Sequence, residues 1–175
     1  MPRPIRHLLI VKKPGHPQMG TLIAGQSRFS CALGRSGVIA LKREGDGGTP
    51  RSILPIRRVF YRADHINRPP AMLKPRPIRR DDAWCDDHQD RRYNRLIRLP
   101  PGFAEERLWR NDHLYDVVVE LGWNDSPVQK GRGSAIFWHL ARPGLTPTAG
   151  CVAVSIDVFR KVLPRLARQS FMVIR

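Results

Sequence analysis

A mainly β fold with one helix near the C-terminal end is what this sequence predicts. Three observations carry that reading. Short β-rich segments recur between Gly, Pro and basic turn signals. Only the stretch after Ser155 shows apolar residues at helical spacing. Fourteen glycines and 16 prolines punctuate the whole chain, so few windows are long enough for anything but strands and turns.

In chain order, "HLLIVKK", "TLIAG", "SRFSCAL" and "GVIAL" read as brief strands. A Gly-rich loop follows at Gly45–Gly48, then Thr49-Pro50 and a strand through Ile53–Tyr61. The segment from Pro69 to Pro77 cannot be helical, because proline lacks the amide donor and clashes with the preceding turn, so it reads as an extended surface loop. "IRRDDAWCDDHQDRRYNRLIRLPPG" carries both signs of charge and reads as loop or edge with one short strand. "HLYDVVVELGW", centred on Val117–Val119, is the clearest strand, followed by "GSAIFWH" and "CVAVS". Ser155 is placed to cap a helix from Ile156, with Asp157 at its positive end. Val158, Phe159, Val162, Leu163 and Leu166 share one face of that helix, which Pro164 should kink or divide. "FMVIR" closes the chain as a strand.

At 175 residues the chain suits a single domain, 1–175, able to bury a real core. Its 31 Lys+Arg against 15 Asp+Glu give a net charge of +16, which favours anionic partners: envelope polymers, anionic lipid or nucleic acid. Three cysteines, Cys31, Cys85 and Cys151, leave at least one free thiol in a monomer and form no disulfide framework. Cys31 and Cys85 could pair or lie buried and reduced. The apolar run Leu8–Val11 is too short for the core of a signal peptide, and no segment approaches the roughly 20 apolar residues of a membrane span.

Two residues carry the chemistry. In "AIFWH", Ala135, Phe137 and His139 face one side of a strand and Ile136 and Trp138 the other, which assigns Trp138 to the core. His139 ends that strand, and Cys151 opens the next after the loop "ARPGLTPTAG". Adjacent strands would bring thiol and imidazole to one rim. A thiol with an ordinary pKa of about 8.5 is mostly protonated at neutral pH, and a neighbouring imidazolium lowers that value. Gly150 and Cys151 can offer main-chain N–H donors to a tetrahedral oxyanion. A buried cysteine beside a structural histidine is the plainer alternative.

"GSAIFWHLARPGLTPTAGCVAVS" resembles the active-site signature of the L,D-transpeptidase catalytic domain family (YkuD domain). His139, Thr148, Gly150, Cys151 and Val152 match position by position. "GDGGTPRSILPI", "WCDD…DRRYNRLIRLP" and "ERLWRNDHLYDVVVELGWN" extend the similarity from about residue 40 to the C-terminus. The resemblance implies a β-sandwich or barrel of mixed sheets with one main helix after a catalytic cysteine. It implies a peptidoglycan L,D-transpeptidase in the periplasm or cell envelope, acylated through a thioester at Cys151, sensitive to carbapenems and needing no metal or organic cofactor. His139 is then the acid and base, with Gly150, Ala149 and the Leu140 carbonyl as oxyanion or orienting groups. Thr148, Arg142, Asn94 and Arg95 are candidate groove residues. The chain departs from the family pattern at Ala149, where histidine is commonest, at Ala153, where many members carry arginine, at Ser52 and Leu54, and in a shorter His-to-Cys loop. These departures bear on donor and acceptor, not on thiol or imidazole.

Three rivals stand beside this reading. Water in place of the acceptor amine gives an L,D-carboxypeptidase or another Cys-His hydrolase. The basic runs "KPRPIRR" and "DRRYNRLIR" suggest a nucleic-acid-binding module, although acidic residues interrupt them and no nucleic-acid motif is present. Cys85 and His88, three apart, lack the second close pair of a structural zinc site.

Overall fold

Eight strands close on themselves around an apolar core in the computed structural model, which describes residues 4–99 and 106–175. The chain enters through β1 (Ile5–Lys13), β2 (His16–Ala24) and β3 (Ser27–Ala32), an antiparallel meander. Its first turn is Pro14-Gly15, where Gly15 takes a φ of 74° that a side chain would resist. After β4 (Val38–Ile39) and β5 (Thr49–Pro50), a small parallel pair, comes β6 (Ile53–Tyr61), which matches the strand expected from the sequence. β7 (Arg76–Pro77) adds to its end. β8 (Asp82–Trp84), β9 (Leu96–Arg98) and β10 (Glu106–Arg107) form a separate three-stranded sheet. β11 (Val117–Leu121), β12 (Phe137–Leu140), β13 (Val152–Val154), helix α1 (Ile156–Val162) and β14 (Leu166–Ile174) complete the chain.

The barrel order is β11-β12-β13-β3-β2-β1-β14-β6, and β6 pairs back onto β11. Closure depends on two long-range pairings, β1 parallel to β14 and β14 antiparallel to β6. Alternation fills the inside with Leu8, Ile10, Leu22, Leu54, Met172 and their neighbours. α1 plugs this core with Val158, Phe159 and Val162, and Phe159 stacks on Trp138 with ring centroids 4.2 Å apart. Each such side chain taken from water contributes roughly 1.5–3 kcal/mol.

β11 is buried along its whole length, because both of its faces are covered. Val117 and Val119 face the barrel, while Val118 joins Phe60, Trp84, Tyr115, Phe137 and Cys151 in a second cluster outside it. The three-stranded sheet supplies Trp84 to that cluster. The apolar run Val117–Val119 is the signature of a strand buried on both sides, and buried Glu120 beside it is paired with Arg58.

Several expectations are corrected. "GVIAL" pairs only at Val38 and Ile39. The charged segment after Ile78 holds two described strands, β8 and β9, because Ala83, Trp84 and Ile97 are buried there despite the flanking charge. Leu166 belongs to β14: Pro164 ends the helical run in a short 3-10 turn, and Leu166 turns to pair with Ile5. Ser155 precedes α1 without a side-chain cap bond, and its carbonyl accepts from Val158 N–H at 3.1 Å. Cys31 and Cys85 are both buried, and no disulfide joins them. Among the described residues no helix is long and apolar enough to cross a membrane.

Candidate active site

Cys151 and His139 sit on the outward face of the β12–β13 wall, under the three-stranded sheet. The strands run parallel with Trp138 opposite Val152 and His139 opposite Ala153. Cys151, the residue directly before β13, lies by alternation on the same side of the wall as His139. Both line a cleft of about 400 Å³, together with Tyr115, Thr148, Ala149, Arg142 and Ala153. Trp138 points the other way and is fully buried in the barrel.

The thiol is held by main chain. Sγ–H donates to the Ala135 carbonyl at 3.3 Å, and Phe137 N–H donates to Sγ at 3.4 Å. Ala135 reaches this position with a φ of 52°, rare for a residue with a side chain. Burial pushes the Cys151 thiol up to about 12, against the small opposing pull of the Phe137 N–H. Burial likewise lowers His139 to about 4, although its bond to Leu140 favours the charged ring. The pair thus rests as neutral thiol and neutral imidazole, which corrects the expectation that an imidazolium lowers the thiol pKa. His139 Nδ1 lies 2.8 Å from the Leu140 carbonyl oxygen. A carbonyl only accepts, so Nδ1 carries the proton and Nε2 keeps its lone pair as a base.

The turn into the cysteine is built by Thr148. Its hydroxyl accepts from Gly150 N–H at 3.0 Å and donates to the Cys151 carbonyl at 2.7 Å. Its own N–H and C=O bond Leu33 and Arg35, stitching the loop to the end of β3. Thr148 is therefore a brace of the turn as well as a cleft residue. Gly150 N–H is already engaged, which leaves Cys151 N–H as the main-chain donor beside the thiol. Ala149 is exposed at the cleft and contributes no polar side-chain group. Arg142 is exposed there, its guanidinium 3.7 Å from Asp112.

Asn94 and Arg95 lie outside the cleft lining. Arg95 is an exposed residue whose carbonyl accepts from Cys85 N–H. Asn94 is buried at a φ of 56° and works as a structural tie. Its Oδ1 accepts from Trp84 Nε1–H and Ala135 N–H at 2.8 and 3.2 Å, and its Nδ2 donates to the Trp123 and Asn124 carbonyls at 2.9 and 2.8 Å. Asn94 thus fixes the residue whose carbonyl holds the thiol. Asn94→Ala is expected to destabilise the fold by roughly 3 kcal/mol, through unpaired buried groups and a strained φ, and to slow any reaction of the thiol. A fall in the urea midpoint checks the first part, and the rate of thiol alkylation the second.

The sequence reading passed over three further side chains at the site. Tyr115 packs edge-on against both His139 and Phe137, with ring centroids 5.3 and 5.9 Å away. Its hydroxyl donates to Glu106 Oε1 at 2.8 Å, and Arg110 Nη1 lies 3.3 Å from the same oxygen. Burial, then the nearby Cys151 and Glu106, hold the Tyr115 phenol well above its usual pKa. The four-residue spacing of Glu106 and Arg110 was visible in the sequence, but nothing local tied it to Tyr115.

Among the described residues one group of side chains could gather a metal ion: His65, His113 and Asp116. Arg62 lies 3.0 Å from His65 Nε2 and can only donate, so the His65 proton sits on Nδ1 and faces Asp116 at 2.5 Å. That arrangement is a hydrogen-bonded clasp between the turn after β6 and the approach to β11.

A buried thiol and imidazole on adjacent strands of one β-wall is an arrangement suited to thiol-dependent acyl transfer. The family model of the L,D-transpeptidase catalytic domain (YkuD) matches residues 6–174, nearly the whole chain, and the protein belongs to that family. No curated protein and no solved structure matches the chain.

Proposed function

We propose that the chain acts as a single-domain L,D-transpeptidase on peptidoglycan stem peptides in the cell envelope. The observation that carries this is that His139 on β12 and Cys151, directly before the adjacent parallel strand β13, line one cleft. The cleft's charges also favour it. Arg35, Lys42, Arg110 and Arg142 stand with Glu44, Asp86 and Glu106 around the thiol, a surface suited to a peptide bearing both carboxylates and an amine.

In the reaction, His139 Nε2 takes the thiol proton as Sγ attacks the carbonyl before a terminal D-residue. The Phe137 N–H steadies the sulfur as it gains charge, and the Cys151 N–H is placed for the oxyanion. The C–N bond breaks, the His139 proton passes to the departing amine, and a thioester remains on Cys151. An amine of a second stem then attacks the thioester, His139 takes that amine's proton and returns it to the sulfur as the C–S bond breaks, and the thiol is released with a new cross-link. Water in place of the amine gives L,D-carboxypeptidase activity.

Intact mass after incubation with a carbapenem is the test. The parent protein should gain one drug mass, and Cys151→Ala should gain none. Stem peptides should then lose their terminal D-residue, with cross-linked product marking transfer and free tripeptide marking hydrolysis. A folded parent protein with a titratable Cys151 thiol and no adduct would overturn the proposal.

A further inference from the structure

The half of the barrel facing away from the cleft has an unusual surface. Strands β3, β2, β1, β14 and β6 contain no acidic residue, and all 15 acidic residues of the chain lie between Glu44 and Asp157. Exposed Arg6, Lys12, Lys13, Arg28 and Arg168 lie on these strands, with no ion-pair partner among the described residues.

An apolar row crosses the same strands. Register places Ile23, Leu9, Val173 and Ile53 side by side across four strands, ending on Arg28 of β3. Alternation turns all of them outward, since their neighbours Leu8, Ile10, Leu22, Leu54 and Met172 fill the barrel. Ile53 is 64% exposed and Val11, beside the row, 38%. Phe171 lies next to it, stacked on His7. A contiguous apolar surface of this kind on a soluble domain marks a contact site.

We propose that this wall docks the protein on the surface of an anionic phospholipid bilayer. The chemistry selects among occupants. Nucleic acid would satisfy the cations and leave the apolar row in water. A second copy would set like charges against each other. A bilayer surface offers lipid phosphates to the cations and the acyl boundary to the isoleucine, leucine and valine side chains. The topology adds a consequence: β1 lies four strands from β12 in either direction around the eight-stranded ring. Docking through β1 therefore turns the Cys151 cleft away from the lipid. The proposal stands on surface residues alone and does not depend on the reaction assigned to the cleft.

The experiment is co-sedimentation of the full chain with vesicles of phosphatidylglycerol and, separately, of phosphatidylcholine. Binding to phosphatidylglycerol vesicles should be roughly tenfold tighter or more. Lys13→Glu with Arg28→Glu should abolish that preference. Val11→Asp with Ile53→Asp should remove the part of binding that survives high salt, since charge attraction is screened and burial is not. Both pairs lie on exposed positions, and a thermal melt verifies their folding. Arg95→Glu, outside this wall, should bind as the parent does. Equal binding to both lipids, parent-like binding by folded wall variants, or binding of a duplex oligonucleotide without binding of vesicles would each overturn the proposal.

Discussion

His139→Gln is expected to slow acylation of Cys151 by roughly a thousandfold and to change the shape of its pH dependence. With the thiol near 12 and the imidazole near 4, the neutral pair is the dominant form across the whole neutral range. With His139 Nε2 as the proposed base, removing the proton during attack whatever the bulk pH, the parent rate should be flat there. Glutamine can keep a contact to the Leu140 carbonyl but has no basic nitrogen. The variant must wait for thiolate formed by solvent, whose fraction rises about tenfold per pH unit below the thiol pKa. A log-rate plot with unit slope for the variant and none for the parent is the expected result. Parallel profiles would show that His139 is not the base.

The same substitution has a stability signature of definite sign. The His139 pKa in the fold, about 4, is depressed from the ordinary 6.5. Between those values the unfolded chain binds the proton and the folded chain does not, so unfolding gains as pH falls. The contribution is complete above pH 6.5 and is lost on descent through the folded pKa, amounting to roughly 3 kcal/mol. His139→Gln has no such proton to take up. Urea midpoints of parent and variant should therefore converge on acidification, whatever the other carboxylates contribute to both.

These expectations rest on two residues whose nearness at one cleft was legible in the sequence, although their protonation was not. Strand alternation alone separated His139 from Trp138, because both neighbours of the wall are packed and a period of two holds through β12. α1 was legible too, since Val158, Phe159 and Val162 repeat at helical spacing and Pro164 stops them. The registers that close the barrel were not. Nothing near Ile5 or Ile53 announces that both will pair with β14, because such registers come from shape and burial across the chain. Asn94 misled for a related reason. "YNR" is polar and looks solvated, yet the Asn94 amide is worth burying, since one side chain satisfies four separate groups of two loops and a strand. Protonation depends on how deeply each group is enclosed, and the enclosing sheet β8–β10 lies far from His139 in sequence.

Gly150→Ala is expected to cost roughly 2–4 kcal/mol of stability and to slow acylation by roughly a hundredfold or more. Gly150 has a φ of 140°, and an added Cβ would lie 2.8 Å from the Gly48 carbonyl oxygen. Gly48 cannot retreat. Its N–H is held by Asp46 Oδ1 at 2.9 Å, and Ile39 fills the space where its own Cβ would go. Thr49 next to it is pinned by Gly37 and by the bond from Gly34 N–H to its hydroxyl. The strain must therefore move the other side of the contact, which is the turn carrying Cys151, and the Thr148 brace and the Ala135 carbonyl contact go with it. Gly144→Ala in the same loop separates this from backbone strain alone. Gly144 also has a positive φ, 74°, but nothing lies within 4 Å of an added Cβ. That variant should lose about 1 kcal/mol and acylate at the parent rate. If the two alanines behaved alike, the Gly48–Gly150 contact would not be what aims the thiol, and the Gly-rich loop at Gly45–Gly48 would need another role.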